Sequence, residues 1–125
     1  MTPREVLKFK KMLERERDAA VRAALQRRES IVVEQTAEAL EQTVYDGERE
    51  LALADLTRHS ERIREIRAAL GRIETGTFGV CRHCRRPIGA KRMAAVPWTS
   101  LCIRCQESAD RTGLDSADET RATAA

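Results

Sequence analysis

Bulky side chains are scarce in this 125-residue chain. Only four aromatic residues are present, Phe9, Tyr45, Phe78 and Trp98, and 18 of the hydrophobic residues are alanine. A chain with so few large apolar groups is poorly supplied for the core of a β-sandwich, a barrel or a doubly wound α/β enzyme. Proline and glycine are also sparse, at three and six. No glycine or proline occurs between Pro3 and Gly47, so nothing in that stretch interrupts a helix. No apolar run approaches the roughly 18 residues of a membrane span. The N-terminus lacks the apolar core of a signal peptide, and a cytoplasmic location is expected. In that reducing compartment four cysteines point to metal ligands before disulfides. There is no nucleophile–base pair and no glycine-rich phosphate loop, so an enzyme is not expected.

What the chain does have is the Ala, Glu, Arg and Leu mixture of long helices. Thr2-Pro3-Arg4-Glu5 reads as an N-cap, a proline at the first helical position and the acid of a capping box. Val6, Phe9, Leu13 and Ala20 follow on one stripe, and a helix is expected from residue 3 to about 37, about 50 Å long. The β-branched run Ile31-Val32-Val33 weakens that helix locally. A turn is expected near 42–47, where Asp46-Gly47 is a turn dipeptide. A second helix is expected over about 48–74, with Ala52, Leu56, Ile63, Ile66, Leu70 and Ile73 on its apolar side and His59 in a gap of the heptad seam. Two helices of similar length joined by a short turn fold back as an antiparallel hairpin. Gly76 stops the second helix, a short helix is expected after Cys105 to about Arg111, and the small, polar residues after 112 are expected to be disordered.

The fold class is thus mainly α: a long antiparallel two-helix coiled-coil hairpin over residues 1–75, a small C4 zinc-finger module with a short C-terminal helix over 76–111, and a tail over 112–125. The zinc assignment rests on Cys81-Arg82-His83-Cys84 and Cys102-Ile103-Arg104-Cys105. Each Cys-x2-Cys turn aims two thiolates at one point, and two such turns complete a tetrahedral zinc with no open position for water. One structural Zn2+ held by Cys81, Cys84, Cys102 and Cys105 is expected. Its binding, worth roughly 10–16 kcal/mol in comparable modules, offsets the ordering of a segment with little core. His83, between two ligands, is read as a surface residue.

Charge is divided along the chain. Residues 29–55 carry eight acids against Arg49 alone, and residues 75–106 carry six bases and no acid.

The residues Phe78-Gly79-Val80-Cys81-x2-Cys84, Pro87-Ile88, Arg92-Met93-x-Ala95-x-Pro97 and Leu101-Cys102-x2-Cys105-Gln106 resemble the DksA/TraR C4-type zinc-finger family. The hairpin ahead of them matches that family in length and position, and the early start of the first helix is similar to its shorter, TraR-like members. The resemblance implies a transcription regulator that binds bacterial RNA polymerase directly and inserts its coiled-coil tip into the secondary channel, near the catalytic magnesium. It implies no sequence-specific DNA recognition. The family's tip pattern, Asp-x-x-Asp-x-Ala, falls on Glu38-Ala39-Leu40-Glu41-Gln42-Thr43, which makes Glu38, Glu41 and Thr43 the tip residues. Some members hold the alarmone ppGpp with basic residues at the positions of Val96 and Gln106; neither is basic here, so ppGpp is not expected through those contacts.

Arg85, Arg86, Lys91 and Arg92 are candidates for contact with an acidic polymerase surface, or form a solvated basic loop. Two other readings stay open. The basic segment suits a nucleic-acid-binding zinc module, against which stands the lack of a recognition helix. The heptad seam would also serve a structural coiled coil that dimerises, although a short turn favours pairing within one chain and a monomer.

Overall fold

The computed structural model describes residues 1–38 and 46–113, and the side chains of 1–31 and 47–113. Four helices follow in order: α1 (Pro3–Glu38), α2 (Asp46–Thr75), α3 (Ala90–Ala95) and α4 (Ile103–Thr112). The described residues hold no strand, only an isolated antiparallel bridge between Val80 and Pro87. None of their helices is long and apolar enough to cross a membrane.

Helix α1 begins where its first residues dictate. The Thr2 amide donates to Glu5 Oε2 at 2.9 Å, and the Glu5 amide donates to Thr2 Oγ1 at 3.2 Å, the reciprocal pair of a capping box. The helix continues through the β-branched run to Glu38. Helix α2 starts earlier than expected. Asp46 and Gly47 form its first turn instead of belonging to the connection; an acidic residue suits the positive end of a helix dipole as well as it suits a turn. The rest of the expected turn, with Tyr45, Glu41 and Thr43, lies outside the described residues, as do the side chain of Glu38 and the tail from 114 onward. The end of α2 is a Schellman motif: Gly76 has φ 77°, the Thr77 amide donates to the Arg72 carbonyl at 2.9 Å, and the Gly76 amide donates to the Ile73 carbonyl at 3.4 Å.

The chain divides into two compact units, Met1–Leu13 with Ala68–Ala125, and Glu14–Arg67. In the second of these, α1 and α2 run antiparallel. Glu16, Ala19, Ala20 and Ala23 share a groove with Arg58, His59 and Arg62. Further along, Arg27 reaches Asp55 at 3.3 Å, and Asp55 also pairs with Arg58. Among the described residues of this unit, Ala20, Ala24, Ile31, Ala52 and Ile66 are buried. Three of these five are alanine, a side chain small enough to permit close helix packing. Leu56, His59 and Ile63 are half-buried at the seam's edge. Leu25, Leu51 and Leu53 remain exposed.

The other unit holds the larger side chains. Leu13 and Ala69 are fully buried there, with Phe78, Ile88, Met93, Leu101 and Ala109 close to it. Phe9 and Phe78 meet as a tilted ring pair, centroids 5.6 Å apart, a favoured aromatic geometry. Truncating Leu13 to alanine is expected to cost about 2–5 kcal/mol, read as a lower midpoint of denaturant unfolding with the zinc content unchanged.

Candidate metal centre

Each cysteine pair sits on a different local scaffold. The first is a knuckle. The Cys81 amide donates to the Arg86 carbonyl at 2.8 Å, and the Arg85 amide donates back to the Cys81 carbonyl at 2.9 Å. Closing that loop forces Arg85 to φ 65°, a left-handed conformation that favours glycine. Gly79, at φ 83°, lets its carbonyl accept from the Ile88 amide at 2.8 Å; a Cβ there would lie 2.9 Å from the tip of Met1. The second pair sits at the start of α4. The helix begins at Ile103, so Cys102 is its N-cap and Cys105 lies in its first turn. The expected helix after Cys105 therefore starts three residues earlier, inside the ligand pair, and ends at Thr112 against the left-handed Gly113.

The segment between the pairs is held by polar clamps. Arg82 donates through its amide to the Ser100 carbonyl at 2.9 Å, and through Nε to Ser100 Oγ at 3.0 Å. Thr99 is buried; its hydroxyl donates to the Leu101 carbonyl at 3.0 Å and accepts from the Leu101 amide at 3.3 Å. Arg92 adds bonds from Nε to the Leu101 carbonyl at 2.9 Å and from Nη2 to Thr99 Oγ1 at 3.3 Å. Arg72, in the last turn of α2, donates to the carbonyls of Trp98 and Thr99. Three guanidinium groups thus fix the loop that delivers Cys102. A sequence shows only that an arginine is present, not that its planar fork meets carbonyls many residues away.

The outcome is a cluster of four free thiols whose Sγ atoms all lie within 4.8 Å of one another. Cys84 Sγ and Cys102 Sγ are 3.8 Å apart, far beyond a disulfide bond. A tetrahedron with Zn–S bonds of about 2.3 Å has edges of about 3.8 Å, so the donor set fits zinc in both chemistry and size. Cys81 is buried, Cys102 and Cys105 are half-buried, and Cys84 is the exposed member. Burial opposes the Cys81 thiolate, but hydrogen bonds from the backbone at Cys84, Cys102 and His83 outweigh it and bring its pKa from 9.0 down to about 6. Burial and the neighbouring thiols of Cys102, Cys81 and Cys84, with the charge on Cys81, push Cys105 up to about 12. Four adjacent thiolates repel one another, and a divalent cation removes the need for those protons. Protons and metal therefore compete, and zinc affinity falls as pH falls.

The remaining candidates separate. His83 is exposed and stands outside the cysteine cluster. Arg85, Arg86 and Lys91 are exposed, whereas Arg92 turns inward to the bonds just described and is a structural clamp more than a contact surface. Phe78 packs on Phe9, and Trp98 is half-buried. Helix α3 was not anticipated, although Ala90-Lys91-Arg92-Met93-Ala94-Ala95 is a run of good helix formers.

Residues 76–111 match the family described as prokaryotic dksA/traR C4-type zinc finger. This part of the chain is thus a C4-type zinc finger of the DksA/TraR kind. Among similar proteins, one from Aquifex aeolicus is 45% identical over 49 residues, covering 39% of this chain and 34% of that protein. The RNA polymerase-binding transcription factor DksA of Haemophilus influenzae is 34% identical over 65 residues, covering 52% of this chain and 45% of the relative. The chain thus spans about a third and just under half of these two relatives' length. In fold, transcription factor DksA2 from Pseudomonas aeruginosa aligns with a TM-score of 0.76 at 22% identity, over 90% of this chain and 88% of that one. Within this finger the cysteine cluster is the site of one structural zinc.

Elemental analysis should return one zinc per chain. Chelation should release it and unfold residues 78–106, seen as loss of amide-exchange protection there and not across 14–31. Replacing Arg85 with glycine relieves a left-handed conformation worth roughly 1–2 kcal/mol, so the variant should hold zinc at least as well as the parent in a chelator competition.

Proposed function

We propose that this protein is a transcription regulator that binds bacterial RNA polymerase directly, with residues 1–75 as its hairpin and 76–111 as its zinc-finger module. The observation that carries this reading is the four-thiolate centre within a DksA/TraR finger, preceded by two long helices that pair antiparallel. The Haemophilus influenzae relative is itself named an RNA polymerase-binding transcription factor. The metal is structural: its four positions are filled by protein thiolates, none is left for a water nucleophile, and the protein acts as a binding factor, not as an enzyme.

The finer mechanism follows the same line. The connection between α1 and α2, with Glu38, Glu41 and Thr43, enters the polymerase secondary channel and modulates initiation. The concentration of acids over 29–55 supports this, because a carboxylate-rich end is attracted to a basic channel wall or a catalytic cation. The protein works as a cytoplasmic monomer. Val96 and Gln106 offer no cation to ppGpp, so its action through those two positions is independent of the alarmone.

Immobilised protein is expected to retain core RNA polymerase, and factors that occupy the same channel should displace it. Charge reversal by Glu38→Lys with Glu41→Lys should abolish the effect on in vitro transcription while leaving polymerase retention within a few-fold. Failure to retain polymerase would remove the proposed function; retained activity in the doubly reversed variant would remove the tip assignment.

A further inference from the structure

The functional reading above leaves the basic segment of the chain unused. Residues 75–106 contain six bases and no acid. Arg92 is occupied within the fold, and Arg82 is tied to Ser100. The other four cations, Arg85, Arg86, Lys91 and Arg104, are all exposed. Among the described residues none of the four enters an ion pair.

Three of these cations converge. Arg86, Lys91 and Arg104 line one groove of about 460 Å³, together with Arg92, Pro87, Ile103 and three of the cysteines, Cys84, Cys102 and Cys105. Arg104 belongs to α4 and lies between two ligands in sequence, whereas Arg86 and Lys91 come from the knuckle and the start of α3. The metal centre thus gathers cations from three local structures around one opening. A four-thiolate zinc carries a charge of −2, which leaves the segment strongly positive. Glu107 and Asp110 follow on α4; Asp110 accepts a hydrogen bond from Gln106.

We infer that this groove is a second binding surface, and that it takes the phosphate backbone of a nucleic acid without reading its sequence. The single sign of charge is what selects this partner. An interface between proteins sets a positive patch against a negative patch of matching shape, in one register. Four exposed cations in a segment without acidic side chains also fit a uniform polyanion, which requires no register. Three of the four free cations are arginines, whose planar forks bind phosphate oxygens in pairs. Neither an exposed aromatic platform nor a recognition helix accompanies them, so stacking and base readout are not part of the contact. The surface would hold the protein near the nucleic acid on which a polymerase works, and it is independent of whether the hairpin binds polymerase.

The test is fluorescence anisotropy of the zinc-loaded full chain with two labelled duplexes of unrelated sequence and one single-stranded RNA, at several salt concentrations. Binding should be equal for the two duplexes. With three or four phosphate contacts, the logarithm of affinity should fall against the logarithm of salt with a slope of about −3, roughly a hundredfold loss from 50 to 200 mM. The variant Arg86→Gln with Lys91→Gln leaves Arg104 and the ligands untouched. It should keep one zinc, bind at least tenfold more weakly at 50 mM salt, and show a slope shallower by nearly two. No complex at 50 mM salt, a flat salt dependence, or unchanged binding by a zinc-loaded variant would each overturn the inference. If the variant instead lost polymerase while duplex was never bound, the groove would be a site for an acidic protein surface, and the inference would again fall.

Discussion

Four thiolates brought within 4.8 Å of one another cannot all be charged without a cation between them, and most of the molecule's first unit is arranged to make that approach possible. The knuckle accepts an arginine in a glycine's conformation so that Cys81 and Cys84 point the same way. Helix α4 begins at the second pair, so its first turn carries Cys105 back toward Cys102. Arg72, Arg82 and Arg92 hold the intervening loop by its carbonyls and by the hydroxyls of Ser100 and Thr99. The apolar core here is modest, chiefly Phe78, Ile88, Met93 and Leu101. Zinc binding supplies the free energy that a larger core would otherwise provide.

The second unit is built on the opposite economy of side chains. Its buried seam is Ala20, Ala24 and Ala52 with Ile31 and Ile66, and it is supplemented by the Arg27–Asp55–Arg58 group. Small residues permit close helix contact, but each contributes little burial. Much of the stability of such a pair therefore comes from its length and from the many contacts repeated along it. This leaves outward positions free to carry charge, as at the exposed Glu29, Glu48 and Glu50.

Charge and fold are coupled in a second way. The finger is the basic part of the chain, and its metal centre is anionic. Arginines close to the thiolates serve as internal donors, as Arg82 and Arg92 do, or stand around the groove, as Arg86 and Arg104 do. One residue type thus does two kinds of work, as an internal donor to carbonyl and hydroxyl oxygens or as an exposed cation.

The parts that could be read from the chain alone are those set by neighbours in sequence. Thr2 and Glu5 close a capping box three residues apart, Gly76 ends α2 through bonds to residues three and five positions back, and the Cys-x2-Cys pairs announce their metal. Local hydrogen-bond rules are enough for each. Asp46-Gly47 was ambiguous for the same reason: its residue types suit a turn and a helix start, and only the continuing helix chooses. Tertiary structure alone decided which arginines turn inward, that Ala24 and Ala69 join the core, that α4 starts inside a ligand pair, and that Arg104 joins Arg86 and Lys91 around one groove. Those outcomes depend on partners contributed by other helices and loops. The burial of a long side chain or a small one is settled by what the distant chain brings against it, and no spacing within the sequence records that.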